Sequence, residues 1–199
     1  MKRLLVRVRS TSRLGLAVWF ALMLVVCSTL LSRHLLALPR PSADAAFARS
    51  MASLRGPADE GRWMLVHVLY AECRCSQRIA DHLMTTARPT DVREHVLLVG
   101  TDADLESKLI AHGFLLARVD QSELHDRYHV DAVPLLIVAA PDGSIRYAGG
   151  YTPRKQGLDS QDLEILASTR ASRVVDALPV FGCAVARRLQ SAINPLGLP

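Results

Sequence analysis

The apolar and polar positions of this chain fall into two kinds of pattern, short uninterrupted apolar runs and stretches with helical spacing, and their order predicts the architecture. "RWMLVHVLY", residues 62–70, is almost wholly apolar and rich in valine and leucine, as a strand buried on both faces is. "SQRIADHLMTTA" follows with Ile79, Leu83 and Met84 at helical spacing. A second apolar run, "EHVLLVG", ends at Gly100, and "DADLESKLIAHG" then reads as a helix with Leu105, Leu109 and Ile110 on one side and Gly113 as its stop. "FLLARVD" continues as an extended piece and "SELHDRYHV" as a short helix. "VPLLIVAAPDGSIRYAGGY" places a Pro-Asp-Gly turn between two apolar runs, which predicts a hairpin. "DSQDLEILASTRASRVVDAL" reads as a helix with an Asp or Ser cap and acids in its first turn. Strand, helix, strand, helix, strand, strand, helix describes an α/β sandwich, a mixed sheet with helices on both faces.

Two flanking segments lie outside that order. "LGLAVWFALMLVVCSTLL", residues 14–31, is 18 residues without a charge, the length of one helical membrane span. Lys2, Arg3, Arg7, Arg9 and Arg13 precede it, so the positive-inside rule puts the N-terminus in the cytoplasm and the rest outside, which in a bacterium is the periplasm. A cleaved signal peptide is the competing expectation. "ADA" at Ala43 to Ala45 is too far downstream and the apolar stretch too long for it, which favours an uncleaved anchor in the inner membrane. Cys27 reads as an apolar side chain of that span. At the other end, "ALPVFGCAVARRLQSAINPL" reads as an amphipathic helix with Cys183 at its start. The expected organisation is a basic tail at 1–13, an anchor at 14–31, a tether-like linker at 32–61 with room for a short Ala-rich helix, one domain at 62–172 and a helical extension at 173–199.

Composition changes this picture in one respect. Five of the 24 bases precede Leu14 and no acid precedes Asp44, so 19 bases face 19 acids in the remainder. The body of the protein is neutral, and the net charge of +5 is no footprint for nucleic acid. Phosphate-loop spacing and a Gly-x-Ser-x-Gly elbow are both absent from the sequence.

The chemistry concentrates at "YAECRCS", residues 70–76, where a buried strand gives way to a helix. A thiolate at a helix N-terminus is stabilised by unpaired N–H groups and the positive dipole end, which lowers its pKa below the free value of about 8.5. Arg74 adds a positive charge. Cys73 is therefore the expected attacking thiolate and Cys75 the expected resolving one. A disulfide across one intervening residue closes a very small ring, strained and relatively oxidising. Cys183 is either a third thiol approaching this loop or a small buried side chain under a packed helix.

The cysteine motif at a helix start, followed by "VDQSELHDRYHVDAVPLLIVAAPDG" with Val133 and Pro134 before a hairpin, resembles the thioredoxin superfamily over about residues 62–172. "YAECRCS" with the later "LPVFGC" is similar to a membrane-tethered RedB-like or TlpA-like branch in which Cys-x-Cys-Ser replaces Cys-x-x-Cys. The resemblance implies a three-layer thioredoxin-like sandwich and a cis proline at Pro134 packed on the sulfurs. It also implies thiol–disulfide exchange with protein partners, with Ser76 in the place of the second cysteine and tuning the thiolate together with Arg74. Val68 stands where the family carries a buried acid. Two other function classes remain open. Related copper carriers use a cysteine pair on this loop plus a histidine, which nominates Cys73, Cys75 and His129 or Cys183 as Cu(I) ligands. A redox-inert binding domain is the third reading. His67, His82, His95, His112 and His125 show no strong zinc-ligand spacing and read as solvated or hydrogen-bonded bystanders.

Overall fold

The computed structural model describes residues 2–35, 37–155, 157 and 159–193, with side chains only at 13–29 within the first stretch. It divides into two units, Met1–Leu36 and Ala37–Pro199. The first is a single helix, α1 (Lys2–Leu35). Leu22 through Val26 are all exposed, and five consecutive positions go round every side of a helix, so this stretch carries apolar side chains on all its sides. Among the described residues no helix is long and apolar enough to cross a membrane. The span read at 14–31 runs into residues 30 and 31, and the basic tail into residues 2–12, whose side chains lie outside the described set.

The second unit is built on a five-stranded mixed sheet. Its centre is β1 (Trp63–Tyr70), with β2 (Val92–Val99) parallel on one side in a register pairing Trp63 with Val92 and Tyr70 with Val99. β3 (Leu115–Val119) continues the parallel half to one edge. β5 (Leu135–Ala139) pairs antiparallel with the other side of β1, and β6 (Ile145–Gly149) closes the opposite edge as its hairpin partner. The order is β3-β2-β1-β5-β6. A short pair, β4 (Ala132–Val133) and β7 (Cys183–Ala184), forms a separate two-stranded sheet.

Burial on both faces explains the unbroken apolar runs. Met64, Val66 and Val68 of β1 pack with Phe47 and Met51 of α2 (Ala45–Ala52), while Leu65 and Leu69 pack with Ile79 and Leu83 of α3 (Arg74–Thr85). The second face also takes Leu105 and Leu109 of α4 (Ala103–Ala111) and Ile165 and Leu166 of α6 (Asp162–Arg170), and the first takes Leu124 of α5 (Gln121–Asp126). Asp102 and Asp120 cap α4 and α5 through Leu105 N–H and Glu123 N–H.

Two local expectations are corrected and one is borne out. The helix at 159–178 is shorter, from Asp162 to Arg170, and Gln161 rather than an Asp or Ser holds its cap position, with the Asp162 side chain turned inward to the half-buried Arg88. Residues 45–52, within the Ala-rich piece of the linker read as a short helix, form α2, and they carry Phe47 and Met51 into the core. Cys183 does not open a helix. It lies on β7, and α7 (Arg187–Ile193) starts four residues later, because the chain up to Ala186 is held extended by the body of the fold. Leu38 bridges Val180, and Gly150 N–H donates to Leu178 C=O at 2.9 Å. A Cβ on Gly150 would sit 2.0 Å from the Pro179 carbonyl oxygen, so only glycine lets the two backbones approach.

Candidate redox site

The loop from β1 to α3 is fixed mainly by backbone. Cys73 N–H donates to Tyr70 C=O at 3.0 Å, Gln77 N–H donates to Cys73 C=O at 2.9 Å, and the Gln77 side-chain amide donates to Ala71 C=O at 2.8 Å. These bonds place Cys73 at the N-cap of α3 with extended backbone, so its side chain sits at the positive end of a 12-residue helix. Cys73 is only 2% exposed, because it is bonded to Cys183, 110 residues on, with 6.3 Å between the Cα atoms. The sulfur expected to bridge Cys75 is thus joined to Cys183 instead, and Cys75 is free and half-buried. Cys75 lines a small cleft with Ile79, Pro134, Tyr151, Pro179 and Phe181.

Cys183 reaches Cys73 through backbone pairing. Val133 pairs with Cys183 and Ala132 with Ala184 in antiparallel register, and Asp131 C=O accepts from Val185 N–H at 2.7 Å. The Val133–Pro134 peptide is cis, as the resemblance implied for Pro134. Ser76 is buried in the first turn of α3, and its hydroxyl has no hydrogen-bond partner among the described residues. Arg74 is exposed. His129 is also exposed, with a positive φ of 54°, and faces a different cleft with Pro39, Asp44 and Phe47. Among the described residues no three of His, Cys, Asp and Glu converge as a metal-ligand group.

The element order, strand, cysteine loop, helix, strand, helix, strand, then a cis proline leading into an antiparallel hairpin and a last helix, fixes the architecture. Solved structures share it. A hypothetical protein from Sinorhizobium meliloti superposes with a TM-score of 0.51 at 17% identity, over 64% of this chain and 80% of that one. An uncharacterized conserved protein from Geobacillus kaustophilus gives 0.52 at 15% identity, over 64% and 78%. The fold is thioredoxin-like. A secreted disulfide oxidoreductase from Mycobacterium tuberculosis aligns at a TM-score of 0.42 with 16% identity, over 55% of this chain and 84% of that one. No protein-family model matches the sequence, and no curated protein matches it either.

This thioredoxin-like domain holds a buried polar cluster that the sequence reading passed over. His67, midway along β1 and fully buried, lies 2.9 Å from the Glu94 carboxylate through Nε2 and 2.8 Å from the Tyr151 hydroxyl through Nδ1. The ring thus links the Glu94 carboxylate to the Tyr151 hydroxyl. Arg88 joins Glu94, through Nη2 at 2.7 Å, to Asp162, through Nη1 at 2.6 Å, and His82 meets Asp162 at 2.9 Å. Burial pushes the Glu94 carboxyl up, but His67 and Arg88 override it and hold it below the usual carboxylate range. Burial likewise opposes ionisation of Asp162, yet Arg88, His67 and His82 pull it down to about 2. Tyr151 is pushed well above 10 by burial.

A pH dependence follows. The folded value for Asp162 lies below its ordinary 3.8, so its contribution is fully present above about pH 4 and is lost as pH falls through about 2. The difference amounts to about 2 kcal/mol. Urea unfolding at pH 6 and pH 2.5 should show this loss, and Asp162→Asn should flatten the acid limb. An unchanged acid limb in that variant would remove Asp162 as its source.

Proposed function

We propose that this protein is a thiol–disulfide oxidoreductase acting on protein cysteines, with Cys73 as the exchanging sulfur and Cys183 as its resolving partner. The observation that carries the reading is the Cys73–Cys183 bridge itself. It joins a cysteine at a helix N-terminus to one held on a strand beside Val133, with a second thiol, Cys75, in the first turn of the same helix. In the reduced form the Cys73 thiolate attacks a partner disulfide and expels one partner thiol. Cys183 then attacks the Cys73 sulfur of the mixed disulfide and releases the second partner thiol. Two electrons and two protons pass to the partner, and the bridge in the structure is the oxidised product. A partner dithiol drives the same steps backward, and the direction follows the two reduction potentials. Ser76, buried without a partner among the described residues in the bridged form, is suited to donate its hydroxyl to the Cys73 thiolate once the bridge opens. Arg74 supplies positive charge from the surface.

The Cys-x-Cys-Ser sequence, the five bases and the uncharged stretch before the domain support a membrane-tethered, RedB-like protein with its domain in the periplasm. Apolar side chains on every side of α1 fit the same reading.

The test is peptide mapping by differential alkylation, with native mass, on the full chain recovered without reductant from the membrane fraction. A Cys73–Cys183 bridge that dithiothreitol opens and oxidised glutathione restores, with Cys75 alkylated throughout, is the expected result. Free thiols at 73, 75 and 183 with copper in the native mass would replace the oxidoreductase by a copper carrier. Recovery in the soluble fraction would remove the anchor.

A further inference from the structure

Apart from the disulfide, Cys183 is held in place by the backbone on both of its sides. After it, Asp131 C=O accepts from Val185 N–H at 2.7 Å and from Ala186 N–H at 3.2 Å. Before it, Gly150 N–H donates to Leu178 C=O at 2.9 Å, and Leu38 N–H donates to Val180 C=O at 2.8 Å. The Arg40 guanidinium donates to Ala177 C=O. Leu38 and Val180 are also buried in the same core cluster as Val133 and Val185. Leu38 and Arg40 belong to the linker, just past the end of α1 at Leu35.

The resolving step gives this hold a consequence. The Cys183 thiol loses its proton to water and its thiolate attacks the Cys73 sulfur. The Cys73–Cys183 bond forms, the Cys73–partner bond breaks, and the electron pair leaves on the partner sulfur, which takes a proton from water. Attack is in line, so the partner sulfur lies on the far side of the Cys73 sulfur from Cys183. The segment before Cys183 can therefore stay where it is while the partner is attached, and the two cysteines need only part to a near-attack contact of about 3–3.5 Å. How well Cys183 competes with a free thiol for Cys73 then depends on how narrowly residues 177–182 confine it, which is an effective concentration.

Resting on the oxidoreductase reading above, we infer that the linker is part of the redox site. Leu38 and Arg40 are positioning residues that hold the approach to Cys183 and set its effective concentration at Cys73 in the resolving step. Neither touches the reacting sulfurs; both act through the backbone of the segment that carries Cys183.

The experiment equilibrates the full chain with mixtures of reduced and oxidised glutathione, quenches by alkylation, and reads the ratio of the Cys73–Cys183 bridge to the glutathione adduct at Cys73 by intact mass and peptide mapping. That ratio, multiplied by the concentration of reduced glutathione, is the effective concentration of Cys183. Leu38→Ala, which takes a buried side chain from the core around Val180, should lower it about tenfold. Arg40→Ala, at an exposed residue, should lower it about threefold, and Leu38→Val should stay within about twofold of the wild type. In chains that also carry Cys183→Ser, the rate at which Cys73 takes glutathione from oxidised glutathione should be the same with and without each substitution, which a general loosening of the domain would not leave unchanged. Wild-type effective concentrations in Leu38→Ala and Arg40→Ala, or a first step altered as much as the second, would overturn the inference and leave the oxidoreductase standing. A wild-type chain whose bridge dithiothreitol never opens, and whose Cys73 never takes up glutathione, would overturn both. If the circular dichroism of Leu38→Ala departs from the wild type, the exposed Arg40 decides alone.

Discussion

Cys73→Ser should abolish exchange, with turnover of a disulfide-linked model peptide reduced about a thousandfold or more. A serine hydroxyl is not ionised at neutral pH and forms no mixed disulfide, so no other group substitutes for the first step. The decisive comparison is between the other two thiols. Cys183→Ser should stop after one turnover and accumulate partner bound to Cys73, because Cys183 is the sulfur that the structure joins to Cys73. Cys75→Ser should retain most of the turnover. Intact-mass measurement after mixing with substrate separates the cases. Trapping in Cys75→Ser together with turnover in Cys183→Ser would return the resolving role to Cys75 and make the bridge to Cys183 a structural one.

The second large effect is expected far from the sulfurs. Arg88→Ala should destabilise the fold by about 3–5 kcal/mol, because it strips the guanidinium from two buried carboxylates at once. Asp162 is 1% exposed and Glu94 8%, and Arg88 reaches both within 2.7 Å. Leaving a buried charge unpaired costs much more than losing a surface pair. The loss is a large share of a typical total stability of about 5–15 kcal/mol. It should be greatest near neutral pH and shrink in acid, where protonated carboxyls no longer need the cation. Urea unfolding across that range checks it, and a loss below about 1 kcal/mol at pH 7 would show that His67 and His82 suffice without Arg88.

The sheet and the helices on its two faces were legible because burial on both faces leaves an apolar run: β5 is unbroken, β1 is interrupted only by His67, and β2 is such a run from Val96 to Val99. The caps of α4 and α5 were legible for a similar reason, since a capping aspartate acts within three residues. What required long-range geometry was not. The carboxylate that meets His67 comes from the neighbouring strand, as Glu94. The pairing register decides that, and no local pattern encodes it. The clue in the sequence was His67 itself, a polar ring in the middle of a fully apolar strand. At the C-terminus, helical spacing in 183–193 extended the expected helix back over Cys183. The chain there is instead governed by strand pairing with residues some fifty positions earlier. The small ring between Cys73 and Cys75 was argued from proximity along the chain, which has no bearing on which sulfur the fold brings near.

The separation of 110 residues between the bridged cysteines also orders events during synthesis. Cys73 and Cys75 emerge together, long before Cys183 has been made, and at that stage each has only the other as a neighbouring thiol within the domain. The bridge to Cys183 closes only after β1, the hairpin and the strand edge of β4 are in place, since β4 is what aligns β7. Its closure is therefore a record that the domain has been completed.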